Sequence, residues 1–567
     1  MKNQLVAKIL YEIADLLEIK EVEFKPRAYK RAAMAVEALG DDIEDYAKYK
    51  NLDDIPGVGE SIAKKIKEII DTGKCLEHER LKKEIPIDFE ALLSVEGLGP
   101  KTVKLLYKKL LIRNLSDLEK AASAGKIAEL EGFGEKSQQD ILDGITLAKS
   151  KGERMLLDEA TAFADDITGK LKELSHITQI EAVGSLRRMK ETVGDIDIIA
   201  VTRNAKAVAE AARQLDNVQK VYSAGPTKIM LKLRDGPDVD IRIFGEKSYG
   251  AALLYFTGSK QHNISLREIA IRKKWKLNEY GIFSGKKQIA GKSEQEVYRK
   301  LGLDYMAPEL REDRGEIEAA RTGNLPRLVE QDEIKGDLHV HTTASDGVSS
   351  LQEMVDAAKQ LGYAYIGISD HYGSLAIANS MDSKRLAIQH EAIDKINRQS
   401  TGIHIFKGAE VNINKNGTLD IEPEVLKKLD YAIISIHSSF RLSQAEQTKR
   451  VIRALNHDKA RILGHLSARL LFKREPVELD YEAVFKAAKA GNVALEINSF
   501  PNRLDLNDSH AKAAKGHGCS FAIDTDSHNA EHLRLMRFGV GTARRGWIET
   551  SSVINTWPLK KVADFLG

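Results

Sequence analysis

The sequence predicts a multidomain protein of mixed class, with helical domains first, an α+β region next and an α/β barrel at the carboxyl end. Three observations predict this order. Glycine-rich hairpin motifs recur early, strands that carry paired carboxylates follow, and the last segment alternates short apolar runs with helical stretches and places histidines after the runs. A chain of 567 residues is also too long for one hydrophobic core, so three or more domains are expected.

The composition predicts a soluble protein without a strongly basic surface overall. With 86 basic against 84 acidic residues the net charge is +2, so any nucleic-acid surface must be a local patch. The first residues form a charged amphipathic helix, and neither a signal peptide nor a membrane span is evident. The two cysteines, Cys75 and Cys519, are far apart in the sequence, which fits a reducing compartment without disulfides. We therefore expect a cytoplasmic monomer with no membrane partner.

Residues 1 to about 85 are predicted to be helical and contain a Pro-Gly-Val-Gly turn before a helix. Gly57 and Gly59 allow a tight turn and let the backbone approach a phosphate, while the next helix offers its N-terminal N–H groups. The motif recurs at Gly97 and Gly99, and more loosely over 130–136. One copy would suit an ordinary helical corner, whereas repeated copies favour binding to the DNA backbone. The third copy is also compatible with a purely structural role.

Two carboxylates, Asp195 and Asp197, begin a run that reads as a buried strand. Side chains two apart on a strand share a face, and two like charges there repel unless a cation lies between them. Upstream, the Gly184-Ser185 turn exposes backbone N–H groups, and Arg188 can neutralise a phosphate. Each feature alone is common, so a third acid would strengthen the interpretation.

That third acid is Asp240, on an alternating strand over 237–244. Three carboxylates on neighbouring strands can hold two metal ions. One ion lowers the pKa of an attacking 3′-hydroxyl, and the other clamps the triphosphate and the leaving pyrophosphate. The sequence therefore predicts nucleotidyl transfer from a nucleoside triphosphate, with Mg²⁺ or Mn²⁺.

Together, the segments 184–188, 194–198, 239–242 and 255–259 resemble the family X DNA polymerases, the polymerase beta group, and the resemblance covers most of residues 1 to about 315. It implies a palm, a thumb after Asp240, and DNA and dNTPs as partners. The contacts that it implies are to the nucleotide or the template, at Gly184, Ser185, Arg188, Tyr255, Phe256, Gly258, Asn263 and Arg267. Among these, Tyr255 and Phe256 match a sugar-sensing pair, Asn263 matches a residue that reads the minor-groove edge of the new base pair, and Arg267 matches one that touches the template.

The same resemblance implies a lyase domain at the amino terminus. Lys65 matches the lysine that forms a Schiff base with an abasic sugar, with Tyr29 and Lys25 as neighbours. A lysine becomes nucleophilic when a helix N-terminus or other cations lower its pKa, although lysine runs are commonly solvated helix faces. The sequence departs from the family at Ser61, where polymerase beta has a basic residue, and at Met189, where it has glycine.

A second chemistry is predicted after residue 335. Polar residues with metal-ligand side chains follow or end a series of short apolar runs, at His339, His341, Asp346, His371, Glu410, His437, His465, Asp526 and His528. Ligands at the carboxyl ends of strands that alternate with helices are typical of an α/β barrel, whose active site collects at that end. One such histidine would more commonly be a core residue, but this many favour a cluster of two or three metal ions.

This part resembles the PHP (polymerase and histidinol phosphatase) phosphoesterases, which form a distorted (β/α)₇ barrel. The nine residues match the nine metal-ligand positions of that family. The complete set implies a working phosphoesterase, and mixed histidine and carboxylate ligands suit Zn²⁺ or Mn²⁺. Arg469, Asn498 and Arg503 are candidate substrate contacts.

The predicted domains are a lyase-like helix-hairpin-helix domain at 1–85, a second such subdomain at 86–152, a palm at 153–240, a thumb at 241–315, a linker at 316–335 and a PHP domain at 336–567. This order resembles bacterial and archaeal family X polymerases. It implies filling of short gaps in gapped or nicked DNA during repair, with a PHP domain that acts as 3′–5′ exonuclease, 3′-phosphatase or abasic-site endonuclease. Two alternatives remain: a PHP nuclease whose front half only targets DNA, or a PHP module that only supports the palm.

Overall fold

The computed structural model describes residues 2–20, 22–37, 43–49, 51–55, 57–93, 95, 98–130, 132–135, 137–138, 141–142, 145, 154–174, 176–234, 236–375, 378–399 and 402–567. The chain divides into two compact units, one of residues 1–153 with 205–241 and the other of 154–204 with 242–567. Among the described residues, no helix combines the length and the apolar character that crossing a bilayer would require.

The amino-terminal part of the first unit is helical, as predicted. Its helices are α1 (Lys2–Ile19), α2 (Lys25–Glu37), α3 (Ile43–Tyr49), α4 (Glu60–Thr72), α5 (Leu76–Glu84), α6 (Phe89–Leu93), α7 (Pro100–Leu110) and α8 (Leu115–Ser123). Apolar residues at helical spacing bury one face of each of the longer helices, as Ile62, Ala63, Ile66 and Ile69 do on α4. Buried side chains from residue 6 to residue 145 form one continuous hydrophobic core.

The second unit begins with the first half of a mixed α+β region. Its elements are β1 (Met155–Leu156), α9 (Leu157–Lys172), β2 (Ile177–Ala182), the short helix α10 (Gly184–Arg187), β3 (Thr192–Val193) and β4 (Ile196–Thr202). Strand β4 pairs antiparallel with β2 and puts Ala182 opposite Ile198. Four consecutive residues of β4, Ile198 to Val201, are buried, as its apolar run predicts.

The chain then returns to the first unit with α11 (Ala205–Arg213), β5 (Val218–Ala224) and β6 (Lys228–Leu233), an antiparallel strand pair. Strand β7 (Asp238–Phe244) begins in the first unit and ends in the second. There follow α12 (Tyr249–Thr257), α13 (Lys260–Arg272), the antiparallel strands β8 (Lys276–Asn278), β9 (Gly281–Ser284) and β10 (Lys287–Ala290), and the helices α14 (Glu294–Leu301) and α15 (Glu316–Thr322).

The carboxyl-terminal part alternates strands and helices. In chain order these are β11 (Gly336–Val340), α16 (Leu351–Gln360), β12 (Tyr365–Ile368), β13 (His371–Tyr372), α17 (Ser383–Arg398), β14 (His404–Asn412), α18 (Pro423–Leu426), β15 (Tyr431–Ser435), α19 (Gln444–Leu455), β16 (Ala460–Leu463), α20 (Tyr481–Ala490), β17 (Ala494–Asn498), α21 (Asp508–Gly516), β18 (Phe521–Asp524), α22 (Met536–Arg545) and α23 (Leu559–Leu566). Each long strand is followed by a helix, which is the predicted barrel pattern.

Seven of these strands form a nearly closed parallel barrel in the order β11, β12, β14, β15, β16, β17, β18. The end of the barrel returns to its start through a parallel bridge between Val340 and Ser527, and the His341 amide donates to the Ser527 carbonyl at 2.8 Å. A buried cluster that includes Leu338, Tyr431 and Ile462 from the strands also includes Phe565 of α23. The (β/α)₇ prediction is therefore confirmed.

Candidate functional site

The glycine hairpins of the helical unit repeat one backbone hydrogen bond. The Val58 amide donates to the Ile55 carbonyl, Leu98 to Val95, and Phe133 to Leu130, at 2.9–3.1 Å. Gly57 has a φ of +85°, and Gly59 and Gly99 are the residues just before α4 and α7. The turns therefore leave the first N–H groups of the two helices available for an anion. Gly97 lies outside the described residues.

Lys65 lies on α4, one turn after Ser61, and its Nζ reaches the Ser61 Oγ at 3.5 Å. Its neighbour Tyr29 is buried, and burial raises the pKa of the Tyr29 phenol while Lys65 acts in the opposite direction. Lys64 instead pairs with Glu60 at 2.7 Å on the exposed face of the helix. The structure thus brings Lys65 and Tyr29 together, and it places Lys25 at the start of α2 with an exposed side chain.

Position 184 requires a glycine because its backbone lies directly against the side chain of Asp197. Its φ is +67°, and a Cβ there would lie 2.7 Å from Asp197 Oδ2. The Val183 amide donates to the Asp197 carbonyl at 2.8 Å, so the turn that carries Ser185 is held beside β4. Asp195 precedes β4 and is exposed, whereas Asp197 is the second residue of the strand and is half-buried. Asp240 is half-buried on β7, where its Oδ2 lies 3.3 Å from Lys228 Nζ.

Arg188 follows α10 and is largely enclosed. Its Nε donates to Glu312 Oε1 at 3.0 Å, and its Nη1 donates to the Thr257 carbonyl. Gly258, with a φ of +69°, follows Thr257, and a Cβ there would lie 3.2 Å from Arg188 Nη1. The predicted phosphate-binding arginine therefore lies at the end of α12, next to the predicted sugar-sensing residues.

Tyr255 and Phe256 are half-buried at the end of α12, with ring centroids 5.1 Å apart. Asn263, on the next helix, donates from Nδ2 to the Tyr255 carbonyl at 2.7 Å, and its Oδ1 has no hydrogen-bond partner among the described residues. Arg267 lies one helical turn further along α13 and is half-buried. These four side chains thus lie on two consecutive helices, as the spacing predicts.

The nine predicted metal ligands converge at the carboxyl end of the barrel strands. His339 is in β11, Glu410 is in β14, and His437, His465 and Asp526 each come two residues after a strand ends. His465 and Asp526 have positive φ values of +21° and +53°, a conformation that costs free energy in a non-glycine residue and is concentrated at functional sites. The backbone strain supports a functional role for this rim.

Glu410 is the centre of the cluster. Its Oε2 lies 3.3 Å from His339 Nε2, 3.6 Å from His341 Nε2 and 3.1 Å from His371 Nδ1. Its Oε1 lies 3.2 Å from His437 Nε2 and 3.0 Å from His465 Nε2. One carboxylate thus faces five imidazoles, an arrangement that suits a carboxylate bridging two cations.

The remaining ligands complete further groups around the same centre. Asp526 Oδ1 lies 3.2 Å from His341 Nε2, and Asp346 lies 3.4 Å from His528 Nε2 and 3.7 Å from His371 Nε2. Three overlapping sets of ligand atoms each fit within 4.8 Å: His341, Asp346, His371 and His528; His339, His341 and Asp526; and His371, Glu410 and His437. All nine predicted residues are therefore brought together.

The donor atoms fit metal ions by their chemistry. His339 Nε2, His341 Nε2 and both Glu410 oxygens are buried without a hydrogen-bond partner in the described part of the chain. Burial lowers the pKa of His339, but the carboxylates of Glu496, Asp526 and Glu410 raise it well above its usual value. Burial raises the pKa of Asp526, yet His339 and its neighbours hold it well below its usual value. The free-energy cost of burying these charged side chains without hydrogen-bond partners is reduced when cations lie between them.

Sequence reasoning missed Glu496, a fully buried residue in β17. Its Oε1 accepts from His339 Nδ1 at 2.6 Å and its Oε2 accepts from the His465 amide at 2.5 Å. It therefore fixes the ring of His339 with Nε2 turned toward Glu410, as carboxylates behind metal-binding histidines do. The sequence did contain a signal for it. Glu496 is a carboxylate within an apolar run, on the one barrel strand to which no metal ligand had been assigned.

We expect Glu496→Gln to weaken metal binding by about 10–100-fold, because it removes the charge behind His339 and turns an amide N–H toward the His465 N–H. Metal content of the full chain after dialysis would measure the effect. Glu478→Gln, at an exposed position on the same barrel, is the matched control. Unchanged metal content would contradict the orienting role.

The three candidate substrate contacts differ in their surroundings. Arg503 lies 3.4 Å from Asp526 Oδ2, and its Nη1 is buried without a partner among the described residues. Asn498 is already engaged, since its Nδ2 lies 3.2 Å from both Glu496 and Asp526. Arg469 donates to the carbonyls of residues 503 and 504 and pairs with Glu191 at 2.6 Å. Arg503 therefore has a buried nitrogen that lacks a hydrogen-bond partner in the described part of the chain, on a side chain that lies beside Asp526.

Comparison with protein families finds matches along most of the chain. A helix-hairpin-helix domain matches residues 1–75 and a SAM-like helix-hairpin-helix tandem matches 89–146. The DNA polymerase beta palm matches 154–235, the DNA polymerase beta thumb matches 252–312 and the PHP domain matches 337–500. The palm match contains Asp195 and Asp197, and the PHP match contains seven of the nine converging side chains, whereas Asp240, Asp526 and His528 lie beyond the matched ranges.

Individual relatives agree. The chain is 37% identical, over 100% of its length and 99% of the relative's, to the DNA polymerase/3′-5′ exonuclease PolX of Bacillus subtilis. It is 26% identical to DNA polymerase lambda of Rattus norvegicus, over 49% of this chain and 51% of that protein. It is also 26% identical to a probable phosphatase of Syntrophotalea carbinolica, over 41% of this chain and 95% of that protein.

Proposed function

Since the chain belongs to the family X DNA polymerases that carry a PHP domain, we propose that it fills short gaps in DNA and trims 3′ ends at two separate sites. The chain is a DNA polymerase with 3′–5′ exonuclease activity, and its relatives also support PHP phosphoesterase chemistry. The single observation that carries the proposal is that one chain holds both a palm with its Gly-Ser turn against Asp197 and a rim of nine converging metal-ligand side chains.

In the proposed polymerase site, Asp195, Asp197 and Asp240 hold two Mg²⁺ or Mn²⁺ ions. Such ions lower the pKa of the primer 3′-hydroxyl and stabilise the charge on the triphosphate. Ser185 and Arg188 grip the triphosphate oxygens, and the backbone of Gly184 allows the turn to approach them. Tyr255 and Phe256 crowd a ribose 2′-hydroxyl, which selects a dNTP. Asn263 would contact the new base pair, and its buried Oδ1 has no hydrogen-bond partner among the described residues.

We propose that the helix-hairpin-helix turns bind the DNA substrate and that this substrate is gapped or nicked DNA. The turns at Gly57 and Gly59, and at Gly97 and Gly99, would contact backbone phosphates on either side of the gap without reading sequence. Arg267 would touch the template strand. Lys65 is the proposed Schiff-base nucleophile toward a 5′-deoxyribose phosphate, supported by its position beside the buried Tyr29. We propose that the protein acts as a monomer in the cytoplasm.

In the barrel, we propose two or three Zn²⁺ or Mn²⁺ ions held by the nine converging side chains. Ions at such a site lower the pKa of a water molecule and polarise a phosphoester. Glu410 holds five histidines around one centre, Glu496 orients His339, and Arg503 offers its Nη1 to a phosphate oxygen. The geometry supports 3′–5′ exonuclease, 3′-phosphatase and abasic-site endonuclease reactions, because each of them breaks a phosphoester. The products with a 3′-hydroxyl are substrates for the palm.

The test is a one-nucleotide gapped duplex with a 5′-phosphate and a labelled primer, incubated with the full chain and Mn²⁺, with and without dNTPs. We expect extension by one nucleotide with dNTPs and shortening of the primer without them. A primer that ends in a 3′-phosphate should be extended only after the phosphate is removed. Shortening without any extension would favour the alternative in which the front half only targets DNA. Extension without any shortening would favour a supporting role for the barrel.

A further inference from the structure

The loop after the Gly-Ser helix, residues 188–191, lies against the barrel. Met189 has a φ of +54°, a left-handed backbone conformation that is uncommon for residues other than glycine. The contacts of the Met189 side chain account for a methionine at this position. A Cβ on Gly541 of α22 would lie only 2.5 Å from Met189 Cε, so the methionine occupies the space that the glycine leaves open. The loop is therefore docked on a barrel helix by shape.

Two barrel arginines, Arg545 and Arg469, also hold the loop through hydrogen bonds. Arg545, the last residue of α22, donates from Nη1 to the Arg188 carbonyl at 2.8 Å and to Glu312 Oε1 at 2.9 Å. Its Nη2 donates to Asp508 Oδ2 at 2.6 Å. On the other side of the loop, Glu191 accepts from Arg469 of the barrel. Arg545 is only 4% exposed, so these hydrogen bonds are shielded from solvent.

Glu312 connects this network to the triphosphate site. The same oxygen, Oε1, accepts from Arg545 and from the Nε of Arg188. Burial raises the pKa of Glu312, but Arg545, Lys190 and Arg188 lower it to about 2, so the carboxylate is charged at neutral pH. If Arg545 were absent, Arg188 would be the principal hydrogen-bonding partner of a buried negative charge. A triphosphate would then have to compete with Glu312 for Arg188.

We propose that Arg545 is a positioning residue of the polymerase reaction: by sharing Glu312 Oε1 with Arg188 and holding the Arg188 backbone, it weakens the hold of Glu312 on the Arg188 guanidinium, so that an incoming dNTP competes for that guanidinium more readily. The PHP domain is thereby part of the nucleotide site, although it lies outside the palm in sequence. The inference rests on the proposed role of Arg188 in binding the triphosphate. It predicts that a substitution in a barrel helix, at a residue that is not one of the nine metal ligands, changes the KM for dNTP.

The test is Arg545→Met in the full chain, which keeps an unbranched apolar stem and removes the guanidinium and its charge. The KM for dNTP and kcat are measured on a gapped duplex at saturating DNA, and primer shortening is measured on the same preparation. We expect the KM for dNTP to rise about tenfold, the size of one lost charge-assisted hydrogen bond, with kcat and primer shortening changed less than about twofold. Adding Glu312→Gln to Arg545→Met should return the KM to within about twofold of the wild type, because it removes the competing charge.

Three comparisons make the result decisive. Arg537→Met, half-exposed on the same helix, should change neither KM nor shortening. Arg188→Met tests the underlying assumption: if it leaves the KM for dNTP unchanged, the proposed role of Arg188 fails, irrespective of Arg545. An unchanged KM in Arg545→Met, or a joint loss of both activities that Glu312→Gln does not restore, would overturn the positioning role. If the methionine variant does not fold, Arg545→Lys with the same measurements replaces it, with a smaller expected rise in KM.

Discussion

Asp240→Ala is expected to abolish template-dependent extension while leaving metal-dependent shortening of the primer intact. Asp240 is the third carboxylate of the proposed palm site, and its Oδ2 already balances the charge of Lys228 at 3.3 Å. Removing it would leave two carboxylates for two metal ions and would weaken the stabilisation of the charge that develops on the triphosphate. The expected loss in kcat is on the order of 10³-fold or more. Single-nucleotide insertion into a gap, measured under single-turnover conditions, reports this loss directly.

The control for Asp240→Ala is Asp216→Ala, an exposed aspartate close by in the sequence, just before β5. It should retain extension. Because the barrel has its own ligands, shortening by Asp240→Ala in Mn²⁺ should match that of the wild type and serves as evidence that the variant is folded. Near-normal extension by Asp240→Ala would show that the palm carboxylates are not the catalytic set. The alternative in which the PHP domain performs all the chemistry would then regain support.

The barrel and its rim were predictable because the signal is periodic. Apolar strands that end in histidine or a carboxylate place those side chains at one end of any parallel barrel, whatever the length of the helices between them. His437, His465 and Asp526 each follow their strand by two residues, and that regularity is visible in the sequence. The pairing of the palm carboxylates was predicted from alternation along a strand, which fixes which side chains share a face, but the structure places only Asp197 within β4 and Asp195 just before it.

The supporting residues were not predictable, because their partners are distant in the sequence. Glu496 and His339 are 157 residues apart, and Arg545 and Glu312 are 233 apart. A carboxylate inside an apolar strand can be a core residue that pairs locally or one that orients a ligand, and only the fold distinguishes them. Met189 was visible as a departure from the family, but its role depends on Gly541, which no local pattern connects to it.

Glu410→Gln is expected to abolish the barrel's nuclease activity while extension with dNTPs persists. The substitution preserves volume in a fully buried position and removes the one negative charge that faces five imidazoles. An amide can supply one oxygen to a cation but places an N–H group where the other carboxylate oxygen was, directed at His437 and His465 or at His339, His341 and His371. We therefore expect loss of at least one bound metal ion and a fall in primer shortening on the order of 10³-fold.

The measurement that separates the two sites combines metal content with both reactions on one preparation. Glu424→Gln, at an exposed position on α18 in an ion pair with Lys427, should leave metal content, shortening and extension unchanged. Glu410→Gln should lose metal and shortening but retain extension, since no palm residue is altered. If it loses metal and still shortens the primer normally, the barrel is not the nuclease, and its metal ions support structure or act on other phosphoesters. If extension falls together with shortening, the barrel rim contributes to the palm, and the independence of the two sites is wrong.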